Sequence, residues 1–363
     1  MKCTDNKEKE EARKRLGYTE REWARMLEQE KKEKQRNRKL ASVLAGLLAL
    51  AACLGFLVYY LVFRSHDYTL TFSYNSTDTV FGLGTILDGF EAEEGTAAEL
   101  CVVTGDTNTS AASLDAYSAA LFDLNDEETI YAKDVFTKRS PASITKIMTC
   151  LVALKYGNLD DQVTVTSTIL NIEEGSSVAD LKVGDVLSLR QLLYGMMVVS
   201  GNDAAMMVAE HIAGSVDAFV ELMNEEALEI GATDTHFTNP HGLTDSDHYT
   251  TVYDIYLIFN EAMKYDTFMD IINRENYYAE YTDADGNAVA VTWDSTNQYF
   301  TGDETAPDDV VVYGGKTGTT NDAGYCLALL SKDLYGNPYI AIILHADSKE
   351  NLYSGMNSLL SLI

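Results

Sequence analysis

Three short groups of residues in this chain carry side chains able to do covalent chemistry together. Ser143 and Lys146 stand three apart, a spacing that puts both on one face of a helix. A serine hydroxyl is a weak nucleophile and needs a base beside it. A lysine can serve when desolvation and a neighbouring cation lower its pKa. A serine at a helix N-terminus also faces free backbone N–H groups that can stabilise a developing oxyanion. Ser200-Gly201-Asn202 adds a hydroxyl able to relay a proton and a carboxamide able to hold a substrate amide. Lys316-Thr317-Gly318, followed by Thr319, adds a cation and hydroxyls suited to a carboxylate, and a glycine that lets a substrate backbone approach. The chemistry implied is acyl transfer through an acyl-serine, with no metal and no cofactor.

Each group is weak evidence alone. Ser-x-x-Lys should arise by chance about once or twice in a chain of this length. Ser73-Tyr74-Asn75 and Ser295-Thr296-Asn297 fit the second pattern as well. Ser200 is preferred for its order, its spacing of 57 residues from Ser143 and its setting between two helices. The bland reading of the third group is an ordinary hairpin edge.

The elements that must position these groups are written in the periodicity. Ala116 to Asp123 is apolar and strand-like, with Ile130 to Val135 as its hairpin partner. After Pro141, Ile144, Ile147, Met148, Leu151 and Val152 recur at helical spacing, so a helix begins at Ser143 and stops near Gly157. Leu189 to Val199, Ala204 to Ala213, Val216 to Ile230 and Thr251 to Lys264 are helical. Val310 to Tyr313, Tyr325 to Ser331 and Tyr339 to Ala346 are strands, and a last helix runs from Lys349. Strands near both ends around a helical middle predict an α+β fold with a helical insertion.

Charge divides the chain. Residues 1–39 hold 14 Lys+Arg and 9 Asp+Glu, whereas residues 65–363 hold 12 against 47. Such an acidic C-terminal part repels phosphate, which excludes nucleic acid as a partner. Glu173 and Glu174 read as solvated surface. Leu40 to Phe63 is an uncharged run of 24 residues, long enough to span a bilayer. Arg36, Arg38 and Lys39 precede it and only Arg64 follows. The positive-inside bias then predicts a cytoplasmic basic helical tail at 1–39, a transmembrane helix at 40–63, a stalk at 64–112 and an extracytoplasmic catalytic domain at 113–363. A cleaved signal, or lipidation at Cys53, is the competing reading of the same run. The five cysteines show no CxxC, and Cys150 and Cys326 read as buried thiols, with a single disulfide left open. Six histidines without HExxH argue against a zinc peptidase, and His241 and His248 read as satisfied loop histidines.

The order Ser-x-x-Lys, Ser-x-Asn, Lys-Thr-Gly resembles the signature of penicillin-binding proteins and class A β-lactamases. The surrounding residues sharpen this. Arg139 to Thr149, Leu193 to Ala205, Asn239-Pro240-His241-Gly242-Leu243 and Gly315 to Cys326 resemble the low-molecular-mass D-alanyl-D-alanine carboxypeptidases, a likeness covering about residues 113–363. The resemblance implies a β-lactamase/transpeptidase-like antiparallel sheet flanked by helices with a helical lobe. It implies Ser143 as nucleophile, Lys146 as base, Ser200 as proton relay and Asn202 as holder of the acyl chain. Lys316, Thr317, Gly318 and Thr319 would receive the terminal carboxylate, and the Ser143 and Thr319 N–H groups would form the oxyanion hole. The implied partners are a peptidoglycan stem peptide ending in D-Ala-D-Ala, β-lactams as covalent inhibitors, and the membrane through residues 40–63. Many members carry a β-rich C-terminal domain and an amphipathic anchor. Here the last helix closes the chain, so the N-terminal span is expected to anchor it. Thr319-Thr320 also stands where the family often has an aromatic before the threonine. A β-lactamase, a transpeptidase and an idle wall-binding scaffold are the alternatives. No E-x-x-L-N pattern follows the second motif, which weighs against the first.

Overall fold

The computed structural model describes residues 100–112 and 114–363, together with Glu28 and Lys32, which are helical and form an ion pair at 2.8 Å. The expected transmembrane segment, residues 40–63, and most of the tail and stalk lie outside the described residues. Among the described residues no helix is long and apolar enough to cross a membrane.

Strands β1 (Ala116–Asp123) and β2 (Glu128–Lys133) form a hairpin, followed by helix α1 (Lys146–Tyr156). Then come β3 (Gln162–Thr164), β4 (Val186–Ser188), α2 (Leu189–Met197), α3 (Asn202–Ala213), α4 (Val216–Glu229), α5 (Val252–Ala262) and α6 (Asp266–Ile272). A second hairpin, β5 (Asn276–Thr282) and β6 (Ala288–Asp294), leads through the short α7 (Gln298–Thr301). The chain finishes with β7 (Val310–Thr320), β8 (Gly324–Asp333), β9 (Pro338–Ala346) and α8 (Lys349–Leu360). All pairings are antiparallel: a main sheet ordered β2-β1-β9-β8-β7 and a smaller one ordered β3-β4-β5-β6. The mixed α/β architecture expected from the two strand-rich ends is therefore present, with β1 from one end pairing β9 from the other.

The main sheet is buried on both faces, which explains why β8 and β9 read as nearly unbroken apolar runs. Successive side chains of a strand point to opposite faces. Leu327, Leu329, Ala341 and Ile343 meet Leu352, Tyr353, Met356, Leu359 and Leu360 of α8. Ala328, Leu330, Ile340 and Ile342 meet the helical lobe, whose centre is α1. α8 buries one stripe at helical spacing and starts on Ser348, whose Oγ accepts from Asn351 N at 3.0 Å. α1 has no polar face: Ile147 to Ala153 are all buried. A helix surrounded by packing can hold an ionisable group out of water, and α1 begins with Lys146.

Three expectations change. The α1 helix begins at Lys146, and Ser143 lies in a 3-10 turn, Ala142–Thr145, just before it. The hairpin partner of β1 is shifted to Glu128–Lys133, with a register irregularity between Leu121 and Phe122. Residues 100–112, assigned above to the stalk, pack on the domain. Cys101 is 1 % exposed and its N–H donates to Tyr256 Oη at 2.9 Å, while Thr107 bridges Ala132 of β2. Cys101, Cys150 and Cys326 are buried free thiols.

Candidate active site

The three motifs converge where the 3-10 turn, the start of α3 and strand β7 meet. In a 3-10 turn residues i and i+3 eclipse, so Ser143 and Lys146 come into register more closely than on an α-helix. Lys146 is fully buried. Its Nζ lies 3.0 Å from Ser143 Oγ, 2.7 Å from Asn202 Oδ1 and 2.8 Å from His241 O. A neutral amine has two N–H donors and one lone pair. Donating to the Asn202 and His241 oxygens leaves the lone pair facing the Ser143 hydroxyl, which can donate to it. Burial, and secondarily the charge of Lys316, hold the Lys146 pKa well below the usual lysine value, with Asp203 opposing. Both causes favour the neutral amine that a base must be.

The turn is held from behind. Ala142 takes a left-handed φ of 48°, which costs strain for a residue with a Cβ. Gly242, at φ +88°, packs so closely that an added Cβ would lie 1.8 Å from Ala142 O. Thr145 Oγ1 donates to Ala142 O at 2.8 Å and lies 2.8 Å from His248 Nε2. His248 Nδ1 accepts from Thr238 N at 3.0 Å, which leaves Nε2 as the donor to Thr145. Burial pushes His248 down to about 4 and His241 to about 3, so both are neutral supports. Thr149 Oγ1 adds a bond to Pro240 O at 2.6 Å. The loop at 239–243 thus supplies a hydrogen-bond acceptor for Lys146 and a brace for the turn, a role its sequence did not disclose.

On the other side, Lys316 is 1 % exposed and its Nζ donates to Ser200 Oγ at 3.0 Å and to Thr317 O at 2.9 Å. Burial pushes its pKa down to about 7. Ser200 also takes a left-handed φ, 65°, which turns its hydroxyl toward Lys316. Gly318 is required by proximity: a Cβ there would meet Ser143 N at 2.9 Å and Pro141 O at 3.0 Å. Thr317 Oγ1 lies 2.5 Å from Thr296 Oγ1. The Ser295-Thr296-Asn297 segment therefore reaches the site, though through its central threonine rather than as a Ser-x-Asn pair. Ser73-Tyr74-Asn75 lies outside the described residues.

Two cavities open beside Ser143. One, of about 480 Å³, is lined by Asn202, Thr319 and Gly242, and by Glu173, Glu174 and Asp322. The other, of about 150 Å³, is lined by Ser200, Thr296, Thr317, Gly318 and Lys349. Glu173 and Glu174 are exposed, as their charge implied, yet they edge the cleft. All eight residues singled out in the three motifs lie at this junction. Among the described residues no cluster of His, Cys, Asp or Glu is placed to hold a metal ion.

An antiparallel sheet packed on both faces, with a Ser–Lys pair where sheet and helical lobe meet, defines the class of DD-transpeptidase-like folds. The crystal structure of the Streptomyces K15 DD-transpeptidase superposes with a TM-score of 0.64 at 30 % identity, covering 72 % of this chain and 98 % of that one. The model of the D-alanyl-D-alanine carboxypeptidase family, peptidase S11, matches residues 105–348, and the chain belongs to that family. A D-alanyl-D-alanine carboxypeptidase of Bacillus subtilis, DacF, is 33 % identical over 228 residues, covering 62 % of this chain and 56 % of the relative. One from Streptomyces sp. strain K15 is 35 % identical over 210 residues, covering 55 % and 70 %. The chain spans 52 % of the length of the Escherichia coli DacA carboxypeptidase, at 33 % identity.

Proposed function

We propose that this chain is a serine-type D-alanyl-D-alanine carboxypeptidase acting on peptidoglycan stem peptides. The observation that carries the reading is the buried Lys146 amine, with two N–H groups directed at oxygens and its remaining direction at Ser143 Oγ. The Ser143 proton passes to Lys146 as Oγ attacks the carbonyl of the penultimate D-alanine. The negative charge on that carbonyl oxygen is received by the N–H groups of Ser143 and Thr319, a pairing supported by the packing of Gly318 against Ser143 N. The C–N bond breaks as the leaving amine takes a proton through Ser200, which lies between Lys316 and the cleft. Lys316, Thr317 and the Thr319 hydroxyl bind the terminal carboxylate, and Asn202 holds the acyl chain. Water then attacks the ester, regenerates Ser143 and releases the shortened peptide. β-Lactams acylate the same hydroxyl and leave slowly. Residues 40–63 anchor the protein in the cell membrane with the catalytic domain outside.

The test is labelling of the full chain in detergent with a fluorescent penicillin, beside Ser143→Ala, together with D-alanine release from a D-Ala-D-Ala peptide. A covalent band absent from the variant, with D-alanine release, is expected. A folded parent that takes no label overturns the reading. Rapid hydrolysis of the penicillin would instead identify a β-lactamase. A transpeptidase reading draws support from the similarity to the Streptomyces K15 DD-transpeptidase. It is tested by adding an amine acceptor and asking whether the acyl group goes to amine or water. Protease accessibility of the C-terminal domain in spheroplasts tests the orientation.

A further inference from the structure

Asp203 directly follows Asn202, is 3 % exposed and has no part in the steps above. It lies in the first turn of α3, where a carboxylate is favoured by the unsatisfied N–H groups. One of its oxygens accepts from Ala204 N at 2.9 Å, within its own helix. That oxygen also accepts from Ala179 N at 2.7 Å, and the other accepts from Leu181 N at 3.0 Å. These last two bonds cross to the segment 172–181. The same segment receives the Asn202 N–H on Ser177 O at 2.9 Å and the Trp293 Nε1–H on Ala179 O at 3.1 Å. Gly201 packs against it, with room so short that a Cβ would lie 2.9 Å from Ala179 N.

The segment is thus pinned at its C-terminal end, on the second motif. Its other end is exposed and carries Glu173, Glu174 and Ser177 along the larger cavity beside Ser143. It forms no helix or strand over residues 172–181 that could hold it by a ladder of its own. Its position depends on a few individual bonds, and Asp203 supplies the two that involve charge. Hydrogen bonds to a charged group are the stronger kind.

We infer that Asp203 is a positioning residue that latches segment 172–181 as a wall of the acyl-side cleft, fixing it to the motif that also presents Asn202 to Lys146. The inference rests on the acyl-serine reading only where it concerns the substrate. The latch itself is independent of it. Loss of the latch lets the wall move away, and a peptide lying along it loses contacts that it makes in both ground and transition states. Such a loss raises KM more than it lowers kcat.

The experiment uses the full chain in detergent as parent, Asp203→Asn and Asp203→Ala. Amide hydrogen exchange is read at Ala179 and Leu181. Hydrolysis of a D-Ala-D-Ala peptide is normalised to sites counted by penicillin labelling. Exchange at the two amides is expected to speed up by about tenfold or more, the scale of one lost charge-assisted bond, with Asn milder than Ala. KM is expected to rise about tenfold, with kcat per labelled site changing less. Asp203→Asn keeps one carbonyl oxygen and serves if Asp203→Ala does not fold. Unchanged exchange at Ala179 and Leu181 overturns the latch. Faster exchange with parent KM and kcat per labelled site overturns the role in recognition and leaves Asp203 a stabilising residue only. A parent that takes no penicillin counts against the acyl-serine reading, while the exchange result still decides the latch.

Discussion

The two faces of the main sheet are both buried but built from different materials. Toward α8 the contacts are almost wholly apolar: Leu327, Leu329, Ala341 and Ile343 against Leu352, Met356, Leu359 and Leu360. Toward the lobe the core also encloses Lys146, Asn202, Asp203, His241 and His248, each hydrogen-bonded. A buried polar group left unpaired costs about 1–3 kcal/mol, so the lobe side is constrained bond by bond, whereas the α8 side needs only to fill space. The candidate site thus lies in the interior on the lobe side, while the interior on the α8 side holds none of its motif residues.

The sharpest way to break this division is Lys146→Met, which should fill a similar volume without a base. Penicillin acylation is expected to fall by about three orders of magnitude, the middle of the range for a general base, while thermal unfolding still reports a folded domain. The complementary change is Met356→Ala on the α8 side. It should cost about 2–5 kcal/mol in urea unfolding, yet leave the rate per penicillin-labelled site as in the parent. A rate change there would show that the two interiors are coupled.

pH separates the faces more gently. His241 and His248 are held below the ordinary histidine value of 6.5, at about 3 and about 4. As pH falls below 6.5 the unfolded chain binds protons that the folded one refuses, so stability drops from there down to those values. His248→Gln, which keeps an acceptor and a donor, should give a shallower slope of unfolding free energy against pH between 6.5 and 4. The smallest expected effect lies on the dry side. Ser331 alternates with Leu327 and Leu329, is fully buried, and its Oγ has no hydrogen-bond partner among the described residues. Ser331→Ala should raise stability by about 1 kcal/mol. A loss of stability would mean that water or an unseen partner satisfies the hydroxyl.

What could be read from the chain follows the same division. β8, β9 and α8 were legible because burial on a face imposes a period on consecutive residues. The motifs were legible because reactive side chains at fixed spacing on one helix or strand leave a local trace. What escaped was made by contacts distant in sequence. Cys101 is buried against Tyr256, 155 residues away, so no local pattern marked residues 100–112 as part of the domain. The β5–β6 hairpin does alternate, with Tyr277, Ala279 and Tyr281 paired to Trp293, Val291 and Val289, but Tyr278, Ala288 and Ala290 on the outward positions blur the period in the sequence. Glu173 and Glu174 are solvated, as their charge implies, but the solvent that they face is in the cleft. Thr296 stands in a Ser-x-Asn triplet whose pattern points to its two flanking residues, and its neighbour Thr317 lies 21 residues on.

The dry setting of Lys316 has a thermodynamic consequence for anything that binds there. With its pKa pushed to about 7, the empty site above neutrality holds mostly an uncharged amine. An arriving carboxylate stabilises the ammonium form, so the site must draw a proton from the buffer as it fills. Binding heat should then vary with the ionisation enthalpy of the buffer, and carboxylate affinity should weaken as pH rises above 7. Under the proposed carboxylate-binding role of Lys316, the pocket would take up anion and proton as a pair.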